Sequence, residues 1–465
     1  MLSPALSERL SNVSFDPQLI VKYDQFGPRY TSYPTADRFS EAFRTEDLVA
    51  ALLARGPRPL SLYVHLPFCD TICYYCACNK VITKDHGRAA KYVRYLGREI
   101  AMVAGLVDSS SPVRQVHWGG GTPTFLAPAE MTTLMTELRG AFGFAPDAEI
   151  SIEVDPRKVS EETIALLGRL GFNRISIGVQ DFDPEVQRAV NRIQSETETR
   201  SVIDAARMNA FRSVNVDLIY GLPRQTVEGF RATLEKVIAA APDRIALYSY
   251  AHVPHLFKPQ RRLDEASLPK GDEKLAILDL SIETLGRAGY VYIGMDHFAK
   301  PQDELAIAQR EHKLQRNFQG YSTHGDCDLL AFGISAISKV ASCYAQNVRT
   351  LDEYYARLDV RSLPVLRGAS LGADDLLRRE VIQALMCNFA LDYGPIEAAH
   401  GMHFQEYFSA ELAMLGSMAA DGLVELSAGG IRVTSRGRLL VRNVAMVFDR
   451  YLQEQRERAK YSRVI

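Results

Sequence analysis

Leu60-Ser-Leu-Tyr-Val-His-Leu-Pro-Phe-Cys69-Asp-Thr-Ile-Cys73-Tyr-Tyr-Cys76-Ala-Cys78 begins as a short apolar run and ends with four cysteines inside ten residues. The run Leu60–Leu66 has the length and composition of a β-strand, so the cysteines follow a strand's C-terminal end. Five similar runs come after it, at Val113–Trp118, Glu149–Val154, Arg174–Val179, Val214–Ile219 and Arg244–Tyr250. Helical patterns separate them at about 87–107, 128–142, 159–169, 183–191, 197–209 and 227–240, the third preceded by the cap Ser160-Glu-Glu. Strands alternating with helices of this length imply βαβ crossovers and a parallel sheet. Either an open doubly wound sheet or a partial barrel accommodates six units. The unusual residues separate the two. Gly119-Gly-Gly-Thr-Pro123 follows the second run, Glu153 and Gln180 end the third and fourth, Asp217 nears the end of the fifth, and Tyr248 and Ala251 close the sixth. They describe one rim, where parallel barrels keep their active sites.

The expectation is therefore an α/β protein with a partial (β/α)6 barrel over 56–300. Ahead of it, residues 1–55 form an extension whose aromatic, turn-rich stretch Lys22–Thr35 suits a lid. Residues 301–360 read as a barrel extension and linker. Residues 361–465 read as a mostly helical, winged-helix-like domain, with a helix at Asp374–Phe389, a hairpin at Val424–Val433 turning at Ala428-Gly-Gly430, and an apolar helix through Tyr451. Such units often bind DNA, but the candidate recognition helix has no strong basic run, so a structural cover is expected.

Composition narrows the function classes. The 465 residues carry 54 Lys+Arg against 56 Asp+Glu, a near balance that argues against broad nucleic-acid binding. No run approaches the ~18 apolar residues of a membrane span, and the N-terminus lacks a basic start followed by an apolar core. Cys327, Cys343 and Cys387 are scattered, unlike a disulfide framework. A cytoplasmic monomer is expected.

Cys69, Cys73 and Cys76 have the spacing C-x3-C-x2-C. A structural zinc site more often uses two separated C-x2-C knuckles; a scattered cysteine supplying a fourth ligand keeps zinc open. Three thiolates on a [4Fe–4S] cluster leave one iron free for an exogenous ligand. The glycine run at 119–121 lacks the Gly-Lys-Ser/Thr ending of a phosphate loop.

C-x3-C-x-aromatic-C, with Tyr75 before Cys76, resembles the signature of radical S-adenosylmethionine (SAM) enzymes. Within them, the chain is similar over nearly its whole length to the oxygen-independent coproporphyrinogen III oxidase family. The stretches that carry the similarity are Gly27-Pro-Arg-Tyr-Thr-Ser-Tyr-Pro-Thr35, Tyr63–Cys69, Cys76-Ala-Cys78 and His117-Trp-Gly-Gly-Gly-Thr-Pro-Thr124. They continue through Gly178-Val-Gln-Asp-Phe182, Asn191-Arg192, Arg316-Asn-Phe-Gln-Gly-Tyr321 and Tyr461-Ser-Arg-Val-Ile465. Tyr75 stands where a Phe is common and Ala77 where a Gly is common.

The resemblance implies a [4Fe–4S] cluster on Cys69, Cys73 and Cys76, with Cys78 not a ligand, and two SAM molecules side by side. Tyr63, Gly120, Glu153 and Ile337 would contact the first; Tyr75, Gly121, Thr122, Gln180, Arg192, Asp217 and Ala251 would contact the second. Taken singly, each has a plainer role as core tyrosine, rim carboxylate or helix-end arginine. The implied reaction converts the ring A and B propionates of coproporphyrinogen III to vinyls, giving protoporphyrinogen IX in heme biosynthesis. A 5′-deoxyadenosyl radical starts it, a flavodoxin-type donor supplies one electron, and an acceptor takes one away. Four propionates call for local cations, for which Lys22, Arg29 and Lys258-Pro-Gln-Arg-Arg262 are candidates. The rival readings are the related heme chaperone, which lacks a counterpart of Cys78 and the long N-terminal segment, and a radical SAM methyltransferase.

Overall fold

The computed structural model describes residues 13–453; the Tyr461–Ile465 stretch lies outside the described residues. Six parallel strands form its centre: β1 (Leu60–Leu66), β2 (Val113–Gly120), β3 (Phe144–Val154), β4 (Arg174–Gln180), β5 (Ser213–Tyr220) and β6 (Arg244–Ser249). Helices Gly87–Ala104, Pro128–Ala141, Glu161–Arg169, Pro184–Ala189, Glu196–Met208 and Val227–Ala240 connect them, each close to the span its periodicity predicts. Ser160 caps its helix by accepting from the Thr163 N–H at 3.3 Å.

Strand periodicity sorts the side chains. Leu60, Leu62 and Val64 of β1, Val116 and Trp118 of β2, and Ile150 and Ile152 of β3 are buried beneath the helices. Helix Gly87–Ala104 answers with Tyr92, Val93, Leu96, Ile100 and Val103 on one stripe. The alternate residues face the lumen and are polar: Ser61, Tyr63 and His65 on β1, Gln115 and His117 on β2, Glu149, Ser151 and Glu153 on β3. Arg174 and Ser176, Asn215 and Asp217, and Tyr248 continue the set on β4, β5 and β6. Register aligns them in layers, Ser61 beside Gln115 and Glu149, Tyr63 beside His117 and Ser151.

The barrel is left open, and the sheet runs on at both edges. Beyond β6 come β7 (Val291–Gly294) and β8 (His297–Ala299), both antiparallel. After the short hairpin β9 (Gln315–Asn317) and β10 (Gly320–Ser322), β11 (Asp328–Phe332) pairs parallel with β1. Then β12 (Ile337–Val340), β13 (Cys343–Asn347) and β14 (Val365–Ser370) add an antiparallel meander. The mainly helical part thus begins after Ser370, about ten residues beyond the expected boundary. It holds helix Ala373–Asn388 and a three-stranded sheet of Ala390–Asp392, Val424–Leu426 and Gly430–Val433.

The expected helix through Tyr451 is broken into Arg438–Leu440, Val441–Met446 and Arg450–Gln453. Asp449 starts the last turn by accepting from the Tyr451 and Leu452 N–H groups at 3.0 and 3.3 Å, and the Phe448 carbonyl turns out to Arg378 at 3.0 Å. Side-chain caps compete with helix continuation here. The same region holds the N-terminal stretch: Tyr30 donates to Asp449 at 3.0 Å, and Arg442 donates to the carbonyls of Pro28 and Gly27. Tyr30 and Tyr33 are buried, so this stretch is packed down between the barrel and the C-terminal helices.

Asp328 fastens the start of the barrel. It accepts from buried Arg55 at 2.8 Å, from Arg58 at 2.8 Å and from the Ala341 N–H at 3.0 Å. Replacing it by alanine strands a buried guanidinium, and urea unfolding of Asp328→Ala is expected to lose about 3–5 kcal/mol. Asp328→Asn, which keeps an acceptor, is expected to lose less.

Candidate active site

The N-terminal end of the lumen is closed by charge. Arg174 pairs with Glu149 at 2.8 Å and with Glu304, Gln115 donates to Glu149 at 3.0 Å, and Arg244 pairs with Asp303 at 2.9 Å. Above this floor is a cavity of about 130 Å³ bounded by His117, Glu153, Asp217, Tyr248, His297 and Tyr321. Tyr63 stacks on His117 at 5.9 Å and shares a hydrogen bond with His65 at 3.1 Å. His117 in turn bridges Ser151 at 2.7 Å and Glu153 at 3.4 Å.

Two carboxylates in this layer sit in different environments. Burial presses the Glu153 pKa upward, but His117 and the Gly120 N–H, which donates at 3.0 Å, hold it below the usual carboxylate value. Its side chain still opens on the cavity. Asp217 accepts from Ser176 at 2.9 Å and Asn215 at 2.8 Å, yet burial and then the Glu153 charge push it up to about 6. Tyr63 is neutral, its pKa driven well up by burial and the Glu153 charge, and burial keeps His65 low.

The cysteine loop crosses the C-terminal end of β1, gripped through its backbone. The short strand Phe68–Cys69 pairs with Val81–Ile82, Asn191 donates to the Ile72 carbonyl at 2.7 Å, and the Tyr74 N–H donates to Val190 at 3.0 Å. Gln260 donates to the carbonyls of Tyr75 and Ala251 at 3.2 Å, and Lys80 to those of Cys76 and Cys78 at 3.1 and 3.2 Å. The thiols themselves are free of disulfides. Thr122 Oγ1 lies 3.4 Å from Cys69, and Arg192 and Arg157 lie 3.6 and 3.9 Å from Cys73. A hydrogen bond from Cys78 lowers the Cys76 pKa against burial and raises its own.

The glycine run is shaped by close approach. Gly120 has φ +113°, and a Cβ there would lie 2.6 Å from the His65 ring. A Cβ at Gly121 would lie 2.6 Å from the Pro67 backbone, and one at Gly119 2.9 Å from the Glu153 carboxyl. Gln180 has φ +69° and sits with Arg192 over Gly178. Arg192 donates to the Gly178 carbonyl at 2.6 Å and contacts Asp155 at 3.3 Å, while its buried Nε has no partner.

Tyr63, Gly120 and Glu153 are thus joined through His117 and the Gly120 N–H, and Asp217 lines the same cavity as Glu153. Thr122 and Arg192 lie against Cys69 and Cys73, Gln180 lies beside Arg192, Gly121 against Pro67, and Tyr75 and Ala251 share Gln260. Ile337, two strands from β1, packs with Phe39, Phe318 and Tyr344. The proposed substrate cations separate. Lys22 is spent on Asp421 at 2.5 Å in the C-terminal helices. The Lys258–Arg262 segment clamps the cysteine loop through Gln260, with Arg262 over the Tyr74 ring at 5.5 Å. Arg29 alone reaches the lumen side, pairing with Asp296. Three residues escape the sequence reading, His65, His117 and Asp155; strand alternation from Tyr63, Gln115 and Glu153 is the signal that finds them.

Three free thiols on one loop, a strip of backbone that a Cβ would fill, and a buried guanidinium nitrogen without a partner fit a [4Fe–4S] cluster with SAM beside it. Among the described residues no three His, Cys, Asp or Glu groups converge on a single-ion site. A cluster asks something else, one thiolate for each of three irons.

Comparison with known proteins agrees with that geometry. Residues 63–237 match the family model of the radical SAM superfamily, and residues 371–440 match the HemN C-terminal domain. An oxygen-independent coproporphyrinogen III oxidase of Pseudomonas aeruginosa is 51% identical over 460 residues, covering 98% of this chain and 100% of that one. The protein of the same name from Escherichia coli K12 is 50% identical over 456 residues, covering 98% and 100%. The solved structure described as coproporphyrinogen III oxidase (HemN) from Escherichia coli, a radical SAM enzyme, superposes with a TM-score of 0.91 at 49% identity, covering 95% of this chain and 100% of that one.

The raised Asp217 pKa fixes a pH dependence. A carboxyl titrating at about 6 when folded and near 3.8 when unfolded destabilises the fold as pH rises through that interval. Asp217→Asn is expected to be more stable than the parent protein at pH 7.5 by about 3 kcal/mol, with the difference gone below about pH 4. Denaturant melts across this range measure it.

Proposed function

The chain belongs to the oxygen-independent coproporphyrinogen III oxidase family of radical SAM enzymes, and we propose that it converts the ring A and B propionates of coproporphyrinogen III to vinyls, giving protoporphyrinogen IX for heme biosynthesis. The observation that carries the reading is the single loop of Cys69, Cys73 and Cys76 set against a glycine strip at the C-terminal rim of a polar, floor-closed lumen. Cys69, Cys73 and Cys76 would hold the cluster. When bound, the cluster and SAM supply a 5′-deoxyadenosyl radical that takes a hydrogen from a propionate β-carbon, after which carbon dioxide and one electron leave and a vinyl remains.

The residues of the chain bind, orient and exclude water. Glu153, kept ionised by His117 and Gly120, accepts from the ammonium and hydroxyl groups of one SAM, and Gly120 lets the backbone approach it. Arg192, with its unused Nε, suits the carboxylate of a second SAM. Asp217, Gln180, the backbone at Gly121 and Ala251, and the Tyr75 and Thr122 side chains complete that second place. The stoichiometry of two is the one that the family resemblance implies. Ile337 offers an apolar surface, and the ion-paired floor keeps bulk water from the cavity. A flavodoxin-type protein serves as the one-electron donor to a monomeric enzyme. No described helix is long and apolar enough to cross a membrane.

Anaerobic turnover tests the reading. Reconstituted protein with SAM, a reducing system, cell extract as electron acceptor and coproporphyrinogen III is expected to yield protoporphyrin after oxidation of the product. Cys73→Ser is expected to abolish it and to lower the iron content. Protein that holds iron and binds heme but forms no product would point to the heme-chaperone alternative.

A further inference from the structure

One place in the molecule gathers three arginines from distant parts of the chain. Arg29 comes from the N-terminal stretch, Arg316 from β9 and Arg442 from the C-terminal helices. All three feel one another: burial and then the Arg316 charge bring Arg29 down to about 10, and burial followed by Arg29 and Arg316 brings Arg442 down to about 9. His297 stands edge-on to Tyr248 at 5.9 Å and Tyr321 at 5.2 Å. Burial and the charges of Arg316 and Arg29 hold it neutral, down to about 3. The other lumen cations differ. Arg174 and Arg244 each have carboxylate partners in the floor.

Part of this cluster already has work. Arg442 donates to the Pro28 carbonyl at 3.0 Å and to that of Gly27. Arg29 pairs with Asp296, the carboxylate that faces this group, yet a third of its side chain stays open, 33% exposed. Arg316 is fixed from behind: Gln383 donates to its carbonyl at 2.9 Å and accepts from its N–H at 3.1 Å. One arm donates to the Arg29 carbonyl, and the guanidinium lies 5.4 Å from the Tyr321 ring. Its Nε, in a residue only 7% exposed, is buried without a partner, as is Nδ1 of His297. A buried donor left unmade is costly, and a buried excess of like charge more so.

We propose that Arg29 and Arg316 form an anchor for a carboxylate of the substrate, a polycarboxylate with an apolar body, held beside the rings of Tyr248 and Tyr321. The anchor rests on the proposed function, in which that ligand is coproporphyrinogen III and the carboxylate one of its propionates. A planar guanidinium pairs bidentately with a carboxylate. Asp296 is then an internal competitor that holds Arg29 until the ligand arrives. A purely structural clasp between the N-terminal stretch and β9 would use the same two arginines but would not need an open Arg29 side chain.

The test uses coproporphyrin III, the stable oxidised form with all four propionates, titrated into the full-length protein and followed by porphyrin fluorescence. Arg29→Met and Arg316→Met are each expected to raise Kd by about tenfold or more, with Arg29→Lys in between. Asp296→Asn is expected to lower Kd, because it releases Arg29; a structural clasp would instead be weakened by it. Thermal melts verify folding, and should Arg316→Met not fold, the opposite signs at Arg29 and Asp296 still decide. An unchanged Kd in folded Arg29→Met, weaker binding in Asp296→Asn, or no binding of coproporphyrin III by the parent protein overturns the anchor. Parent turnover of coproporphyrinogen III separates the two claims. Turnover without this mutational pattern removes the anchor alone; the pattern without turnover upholds the anchor and removes the assigned reaction.

Discussion

The lumen of this barrel is lined with ionisable and hydrogen-bonding groups, and everything around it answers the cost of burying them. Strand alternation leaves no choice once the helices claim the apolar face: Ser61, Tyr63, His65, Gln115, His117, Glu149, Ser151 and Glu153 must point inward together. Charges removed from water are tolerated only when paired. The floor meets that condition, since Arg174 and Arg244 each find carboxylates and Gln115 ties Glu149 to β2. With that end closed by charge, the cysteine loop lies at the opposite rim of the lumen.

The loop carries its chemistry by keeping its thiols out of its own folding. Asn191, Gln260 and Lys80 hold carbonyls from Ile72 to Cys78, so the backbone path is fixed by contacts that ask nothing of sulfur. Asn191 and Gln260 reach the loop from the segments after β4 and β6, while Lys80 belongs to the loop itself, so the position of the cysteines depends on both the loop and the rest of the sheet. The glycines at 119–121 complete the arrangement, because the second strand end must pass within a Cβ radius of His65, Pro67 and Glu153.

Most of this was readable from the chain because it is local and periodic. Six short runs separated by helical stripes require a parallel sheet, and the polar residues at their ends define a rim. Inward-facing His65 and His117 follow from strand alternation within β1 and β2, not from the polar strand ends that mark the rim. Contacts between distant segments left no trace. Lys22 and Asp421 are 399 residues apart, so a cation that looked suited to a propionate is occupied elsewhere. Gln260, the neutral residue inside a basic run, holds the loop backbone, while Arg262 covers the Tyr74 ring and Arg261 donates to the Pro254 carbonyl. The break at Asp449 is likewise set by partners in other elements, Tyr30 and Arg378.

Carboxylates and arginines approach one cavity from different parts of the sheet. Glu153 and Asp217 face it from β3 and β5, and Arg29 and Arg316 approach from beyond β6. Tyr248 senses both, its pKa raised by burial and by the carboxylates and lowered by the arginines. Such a site imposes direction on whatever enters it, drawing cationic groups toward β3–β5 and anionic ones toward β8 and β9. The ligands of the proposed function differ in the same sense, since SAM carries a sulfonium and an ammonium while the propionates of a tetrapyrrole are anionic. Burial and like charge push the Asp217 carboxyl up to about 6 and press Arg29 and Arg442 below the usual arginine range, so each wall favours a ligand charge opposite to its own.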